Sequence, residues 1–595
     1  MTSHKKQILS KKNIIFSTII KIGLILLFVF GYTQVHNTSF TNTIPLLAVN
    51  EASNNKIVGG SIVNLTLTIT KGTGKTYVNL NTAEEVDTQI SILNSQKIAC
   101  TIFNLDCQNY DFSYQFDGSA FVLKGPSASS AIAILTAKTV QKQKLKPNTA
   151  ITGTLGSGGL IGAVGGVNEK VKVAKELGIT TVIIPTTSNV TLDGINIIRT
   201  MDLIEAYNNF GTEKYSLENT PLNKEMFANL MKDLAVQMCN RSITLKDQLV
   251  FNTTMINSSY YKQAQQSFNY SQTALANLNY YSQGSFCYNS NINYRILTEN
   301  SEKKNNIDSK ISDLKKQLIA KEQQLLSDNY TTTIKTQGDF YIYMILSDRL
   351  QEAKDFLKNV NSTSSPITLL LNTTKMNTTI PIKPVSTQDK IILYSYALER
   401  LYTVNLWENF LAHEGTPIKF TPETLDQACS RLSKELMMKQ EVLKTYGITF
   451  FDKEVTDIFT LSQNPYSNKY LCLYKGLETT GKLNMILTSV GLDENDTSKI
   501  LPQFIKFTSE RIALHSQGNF PVIPYIYYEY STELSHSKDI SSALLYANYA
   551  LAYTDLNLYV ETQQPQTADV LNRAITQLYE NPFFILGALL LIAFA

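Results

Sequence analysis

Hydrophobic and polar positions divide the chain into two unlike halves near residue 210. In the first half short runs predominate. Ile62–Ile69 alternates, with Val63, Leu65, Leu67 and Ile69 set against Ile62, Asn64, Thr66 and Thr68, which predicts a strand with one buried face. Tyr77–Leu80 reads as its partner, and Tyr110–Tyr114 and Ala120–Leu123 as further strands. Asp87–Phe103 has helical spacing, with Ile90, Leu93, Lys97 and Ile98 near one face. Ser127–Gln143 is a small-residue helix built on Ala128, Ala131, Ala133 and Ala137. Asn148–Thr152 and Thr181–Pro185 are strands. Val167–Leu177 is a helix that Gly178 ends, and Met201–Asn208 a closing helix.

Beyond residue 212 glycine becomes rare and the spacing turns helical. Ile307, Ile311, Leu314, Leu318 and Leu325 follow a heptad broken at Lys321, which predicts a short coiled-coil hairpin. Residues 360–389, rich in Thr, Asn and Pro, read as a linker. Helices are expected at Gln388–Glu414, Thr421–Tyr446, Leu471–Leu487, Ser498–His515, Ser541–Tyr553 and Thr567–Tyr579. Tyrosine stripes such as Tyr546-Ala547-Asn548-Tyr549 read as core packing, with no firm repeat period.

Both ends are apolar. Lys5, Lys6, Lys11 and Lys12 precede a run from Ile14 to Tyr32, the grammar of a signal or of an uncleaved anchor with its basic end in the cytoplasm. A second run, Phe583–Ala595, is short of the roughly 20 residues that span a bilayer, and reads as part of a second membrane helix or a terminal anchor. The expected organisation is a cytoplasmic tail and anchor at 1–35 and a linker at 36–55. An α+β domain follows at 56–210, then a helical region with the coiled-coil hairpin at 211–360. A linker at 361–389, a helical domain at 390–580 and a hydrophobic segment at 581–595 complete the chain. The bulk is placed outside the cell membrane.

A chain of 595 residues is too long for one core. Charged residues make up only 17% and the net charge is +3, which argues against nucleic acid as a partner. Six cysteines, Cys100, Cys107, Cys239, Cys287, Cys429 and Cys472, contain no Cys-x-x-Cys, so no metal is expected. Proximity suggests the pairs Cys100–Cys107, Cys239–Cys287 and Cys429–Cys472, in keeping with an oxidising compartment. Asn-x-Ser/Thr sequons from Asn37 to Asn495 are compatible with an outward-facing body. Gly72-Thr73-Gly74-Lys75-Thr76 resembles the tail of a phosphate-binding loop. The glycine such a loop needs five residues before Gly74 is Ile69, and a strand, not a helix, follows, so the segment reads as a hairpin turn and no nucleotide is expected.

The candidate chemistry lies between Gly125 and Lys170. Gly125-Pro126-Ser127-Ala128 leads one helix, and Gly165-Gly166-Val167-Asn168-Glu169-Lys170 leads the next, with Thr152-Gly153 and a glycine-rich run between. A serine hydroxyl needs a base. The five histidines, His4, His36, His413, His515 and His536, all lie outside the α+β domain, and there is no His-Glu-x-x-His. A lysine whose pKa burial lowers towards about 7–8 can serve instead. N–H groups at a helix head can stabilise an oxyanion. Spacing alone leaves Lys124 and Lys172 as rivals to Lys170.

These residues carry a resemblance. GPSAS, ITG and GGVNEK, followed by AKELGITTVIIP, resemble the proteolytic domain of the Lon protease family over about residues 56–205. The resemblance implies an α+β Lon-type proteolytic domain, with Ser127 as nucleophile, Lys170 as general base and Thr152 orienting the lysine. Gly125 and Ala128 flank the nucleophile in the motif. Typical members carry an ATPase ahead of this domain; this chain looks like the membrane-anchored, ATPase-free Lon-like proteins of archaea. Ser129 stands where the family often has Gly, Lys124 where many have Asp or another polar residue, and Asn168 where Lys or Pro is commoner. The expectation is an ATP-independent serine endopeptidase with a Ser–Lys dyad and no cofactor, acting on unfolded proteins or peptides. Because Lon-like domains often form rings, a homo-oligomer is a further expectation. The rival expectation is a non-catalytic envelope scaffold that keeps the fold and works through its helical half.

Overall fold

The computed structural model describes residues 39–560, apart from 52–56, 80–85, 118–125, 218–221, 223, 302–305, 359, 361–385, 412–416, 419, 446–447, 450, 466, 490–491 and 516–520. The two terminal apolar runs, the strand expected at Ala120–Leu123, most of the 361–389 linker and the helix expected at Thr567–Tyr579 lie outside the described residues. Among the described residues no helix is long and apolar enough to cross a membrane.

The first half is built on a seven-stranded mixed sheet. Its strands are β1 (Phe40–Glu51), β2 (Ile57–Lys71), β3 (Thr76–Asn79), β4 (Tyr110–Asp117), β5 (Thr149–Ile151), β8 (Thr181–Pro185) and β9 (Asn196–Thr200). They lie in the order β3-β4-β2-β1-β5-β8-β9. Two-residue strands β6 (Thr154–Leu155) and β7 (Ile161–Gly162) form a separate hairpin. Helices α1 (Val86–Ile102), α2 (Ser129–Val140) and α4 (Leu203–Asn209) contribute to the core on one face, and α3 (Val167–Glu176) covers the other.

The middle strand of this sheet, β1, falls in the segment expected to be a linker at 36–55. Its outward positions are threonines, and Pro45 interrupts the apolar run, so the pattern reads as polar chain. The pairing explains the composition. Thr41 and Thr43 form hydroxyl pairs with Thr68 and Thr66 of β2, at 3.0 and 2.9 Å. Asn42 is buried and donates to the Gln143 carbonyl at 2.8 Å. Leu46 and Leu47 then pack into opposite cores, as the two-residue period of a strand requires. Parallel pairing with β5 occurs at Leu46–Ile151, just past Pro45, which has no N–H to give.

Three further expectations are corrected. Tyr77–Leu80 does not partner Ile62–Ile69, because β4 lies between β2 and β3 and pairs with both. The Gly72–Lys75 turn therefore crosses to the far side of β4 instead of closing a hairpin. Its Thr73 and Lys75 N–H groups donate to Asp111 Oδ1 at 2.8 and 3.0 Å, which holds the turn on β4. On α1 the buried face carries Ser91, Ile92, Ser95, Ile98 and Ala99, while Leu93 is exposed.

The second half is helical. Its main helices are α5 (Lys224–Asp247), α6 (Ser259–Ala276), α7 (Tyr280–Ser301), α8 (Ile307–Leu325), α9 (Gln337–Lys358) and α10 (Thr387–Glu408). They continue with α11 (Pro422–Thr445), α12 (Asp452–Gln463), α13 (Lys469–Ser489), α14 (Glu494–His515), α15 (Val522–His536) and α16 (Ile540–Thr554). The heptad residues of α8 are buried, but they face α9 and α10 within the bundle, so this seam is not a two-helix coiled-coil hairpin. Six helices close a circuit: α7 packs on α10, α10 on α9, α9 on α13, α13 on α16, α16 on α15, and α15 on α7. Tyrosines fill part of it, with Tyr474 and Tyr527 hydroxyls 2.5 Å apart and Tyr527 against the rings of Tyr546, Tyr549 and Tyr553. Disulfides join Cys239 of α5 to Cys287 of α7 and Cys429 of α11 to Cys472 of α13. A third, Cys100–Cys107, closes the turn after α1.

Candidate active site

The parallel strands β1, β5, β8 and β9 all run one way. Helix α2 leads into β5 and α3 leads into β8, so each helix runs back against its strand. Both helix N-termini thus reach the carboxyl end of β5. Thr152-Gly153 follows immediately there, and the three motifs meet.

Ser127 sits in a 3₁₀ turn, Pro126–Ala128, that opens onto α2. The turn is fixed by the residues after β5. Gly153 N donates to the Ser127 carbonyl at 3.1 Å, the Thr152 hydroxyl donates to the same carbonyl at 3.3 Å, and Ser130 Oγ donates to the Gly153 carbonyl at 2.9 Å. Gly153 is required by this close approach, since a Cβ there would lie 2.5 Å from the Ile161 side chain. Every residue of α2 is buried, so the helix has no freedom to shift the serine.

Lys170 enters from the first turn of α3. Gly166 supplies the left-handed bend that starts this helix, with φ of 63°, a conformation disfavoured for residues with a Cβ. The Lys170 side chain then runs inward, is 2% exposed, and donates from Nζ to Thr152 Oγ1 at 3.3 Å. Among the described residues no carboxylate forms an ion pair with it. Burial alone pushes its pKa down to about 8. Lys172 is on the exposed side of α3. A second desolvated lysine, Lys138, also falls to about 8 through burial, but it stands at the other end of α2 with Nζ 3.5 Å over the Tyr207 ring. Eleven residues of helix and turn put it roughly 16 Å from Ser127. Of the lysines weighed from the sequence, Lys170 is joined to the Ser127 turn through one hydroxyl.

Gly125 and Lys124 lie outside the described residues. Ala128 is half-buried in the turn. Ser129, where the resemblance expects Gly, is buried, and its hydroxyl meets that of Ser91 on α1 at 2.9 Å, so the extra oxygen is absorbed by a serine pair. Asn168 is exposed.

Sequence reasoning missed a second set of residues, which comes from the helical half. Ser157–Gly159, within the glycine-rich run, is gripped from several sides. Arg511 of α14, fully buried, donates from Nε to the Gly158 carbonyl at 2.7 Å and pairs with Asp202 at 2.6 Å. Asp202 also caps α4. Asp555 accepts from Gly158 N at 3.2 Å, and Asn484 of α13 donates to Ser157 Oγ at 3.0 Å. The Leu487 carbonyl accepts from Ala163 N at 3.2 Å. Burial raises the Asp555 carboxyl to about 6, although its bonds to Ser157 and Gly158 oppose the shift. No local signal marks these residues, since each partner is more than 300 positions away.

Fold and geometry together define a mixed α/β domain that holds a serine, a threonine and a desolvated lysine at one end of its sheet. The comparison with known families agrees. The model of the Lon protease (S16) C-terminal proteolytic domain matches residues 44–206, and this segment is a Lon-family proteolytic domain. The archaeal Lon protease of Methanocaldococcus jannaschii is 36% identical over 106 residues, covering 17% of this chain and 16% of that protein. The archaeal Lon protease of Thermoplasma volcanium is 29% identical over 160 residues, 27% of this chain and 24% of its own length. The Lon protease of Buchnera aphidicola subsp. Schizaphis graminum is 28% identical over 198 residues, 32% of this chain and 25% of the relative. The chain thus spans a quarter or less of the length of these relatives, and the family match ends before the helical half begins.

Proposed function

We propose that this protein is a serine endopeptidase in which Ser127 is the nucleophile and Lys170 the general base. The observation that carries the reading is the buried Lys170 ammonium, desolvated to a pKa near 8 and hydrogen-bonded to Thr152, which also binds the Ser127 carbonyl. A lysine so placed has a neutral fraction near physiological pH and can take a proton. Ser127 Oγ attacks the scissile carbonyl carbon as Lys170 Nζ accepts its proton. N–H groups at the head of α2, aided by the helix dipole, stabilise the oxyanion. The C–N bond then breaks, Lys170 protonates the leaving amine, and an acyl-serine remains. Water, deprotonated by Lys170, hydrolyses the ester and restores both residues.

The reading extends to substrates and setting. Unfolded segments and peptides, cleaved without ATP, suit a domain whose phosphate-loop look-alike is already bonded to Asp111. The lysine-flanked apolar run at Ile14–Tyr32 serves as a membrane anchor, with the body outside the cell membrane. Three disulfides favour that oxidising side. The rival reading, a non-catalytic scaffold, draws support from the size of the helical half. Cleavage of unfolded casein by the full chain and by Ser127→Ala separates the two. Loss of cleavage in the variant supports the peptidase, and equal cleavage in both rejects Ser127 as nucleophile.

A further inference from the structure

A pocket of about 220 Å³, partly open to solvent, lies in the helical half between α15 and the turn that joins α6 to α7. Tyr525, Tyr528, Glu529, Thr532 and His536 line it from α15, and Asn277 and Asn279 from the turn. The α15 residues fall at helical spacing, so one stripe of that helix forms the wall. The pocket is outside residues 44–206 and owes nothing to the peptidase reading of Ser127.

The turn presents oxygen atoms. Leu278 takes a left-handed φ of 59°, and Asn279 N donates to the Ala274 carbonyl at 2.9 Å, which closes α6. Asn277 and Asn279 then each give a side-chain N–H to Glu533 Oε1, at 2.8 and 2.5 Å. Among the described residues their amide oxygens accept no hydrogen bond. Thr532 is committed in the same way. Its hydroxyl donates to the Tyr528 carbonyl at 3.0 Å, which leaves its lone pairs for the pocket. The lining is therefore rich in acceptors.

It also holds a carboxyl group. Glu529 is 4% exposed, and its Oε1 accepts from the Ser282 N–H and hydroxyl at 2.9 and 3.1 Å. Among the described residues no lysine, arginine or histidine forms an ion pair with it. His536, the other ionisable group of the lining besides the tyrosines, is exposed and lies 3.7 Å from Glu533. With no cation beside it, burial pushes the Glu529 carboxyl up to about 7, although the Ser282 bonds oppose the shift.

We propose that this pocket binds a guanidinium group, with Glu529 as counter-ion, the oxygens of Asn277, Asn279 and Thr532 as acceptors for its other N–H groups, and the Tyr528 ring as an aromatic wall. A guanidinium carries five N–H donors in one plane and stacks on aromatic rings, so it suits an acceptor-rich pocket with a tyrosine at its side. Space suffices, since a cavity of roughly 150 Å³ already admits benzene. The group arrives either on a small free molecule or on an arginine side chain of a polypeptide.

The test is isothermal titration calorimetry on the full-length protein at pH 8, above the Glu529 pKa. The probes are propylguanidinium chloride, N-acetylarginine amide and its neutral isostere N-acetylcitrulline amide. The expected result is binding of at least one guanidinium compound, with the citrulline compound weaker by roughly tenfold or more, the loss that follows when a charge-assisted hydrogen bond is removed. Glu529→Gln keeps an oxygen for Ser282 and should weaken guanidinium binding by a similar factor, and Tyr528→Leu should weaken it as well. Tighter binding of propylguanidinium identifies a small free ligand, and tighter binding of N-acetylarginine amide identifies an arginine side chain; both support the site. Should Glu529→Gln not fold, the citrulline comparison on the unaltered protein carries the test. No heat with either guanidinium compound, equal binding of the citrulline compound, or unchanged affinity in Glu529→Gln overturns the proposal.

Discussion

Lys170 Nζ lies 3.3 Å from Thr152 Oγ1 and has no carboxylate partner among the described residues. The threonine hydroxyl can donate only once, and its hydrogen is directed to the Ser127 carbonyl. Its lone pair is therefore turned to the ammonium, which ties the position of the lysine to that of the serine turn. Thr152→Val keeps the volume and removes this link. The expected outcome is a fall in kcat of roughly 10²-fold, in the range of a displaced general base, with little change in KM and substantial recovery in Thr152→Ser. Steady-state kinetics on a quenched peptide measure it. Equal loss in both variants contradicts a role for the hydroxyl.

Burial of Lys170 has a thermodynamic counterpart. Its pKa is about 8 in the folded chain against the ordinary lysine value of 10.5. Between these values the unfolded chain binds more protons, so the lysine's contribution to stability rises with pH over that window. Below pH 8 the full penalty of a buried ammonium applies, about 3 kcal/mol at one pKa unit per 1.36 kcal/mol. Lys170→Met should therefore stabilise the proteolytic domain at pH 7 while abolishing cleavage, and the gain should shrink to zero as pH approaches 10.5. Melting curves of both proteins across that range decide the matter. A variant less stable at pH 7 contradicts the desolvation account.

Arg511 and Asp202 clamp the two halves together. Removing Arg511 leaves a carboxylate that is a quarter exposed, and the loss falls on the contact and not on either core. Arg511→Met should leave the helical content unchanged and speed amide exchange in 156–164, the loop that Arg511 holds through the Gly158 carbonyl. Unaltered exchange in that loop shows that the contact does not depend on the pair.

Asp555 works against the same contact at neutral pH. Its folded pKa of about 6 exceeds the ordinary aspartate value of 3.8. The stability linked to this carboxyl is thus fully present below about pH 4 and lost as pH rises through 6. Asp555→Asn, which keeps an acceptor for Gly158 N, should raise the melting temperature at pH 7.5, with the difference closing as the pH falls below 4. A difference independent of pH refutes the assignment.

The sequence carried much of the proteolytic domain because its signals are local. Gly153 marks a backbone position where a side chain does not fit, and Gly166 a left-handed bend. Alternation in β2 marks a half-buried strand, and the small residues of α2 mark a helix enclosed on every side. What stayed hidden has physical reasons. The central strand β1 fills its outward positions with threonines and carries Pro45, so a buried element looks like a linker. The buried face of α1 includes Ser91 and Ser95, which pattern reading assigns to solvent. The order β4 between β2 and β3 depends on pairing across 30 or more residues and leaves no mark on either strand. Least legible is the docking of the helical half. Arg511 and Asn484 lie on ordinary amphipathic helices, and only the three-dimensional contact tells them from surface residues.

The central claim is that a neutral Lys170 takes the proton of Ser127. It is tested most directly by the pH dependence of kcat/KM for a peptide whose cleavage is lost in Ser127→Ala. The base must be unprotonated, and burial sets its pKa at about 8 in the free protein. The account predicts a rate that rises tenfold per pH unit below 8 and levels off above it. A rate that is constant from pH 6 to 9, or that falls as pH rises through 8, contradicts it.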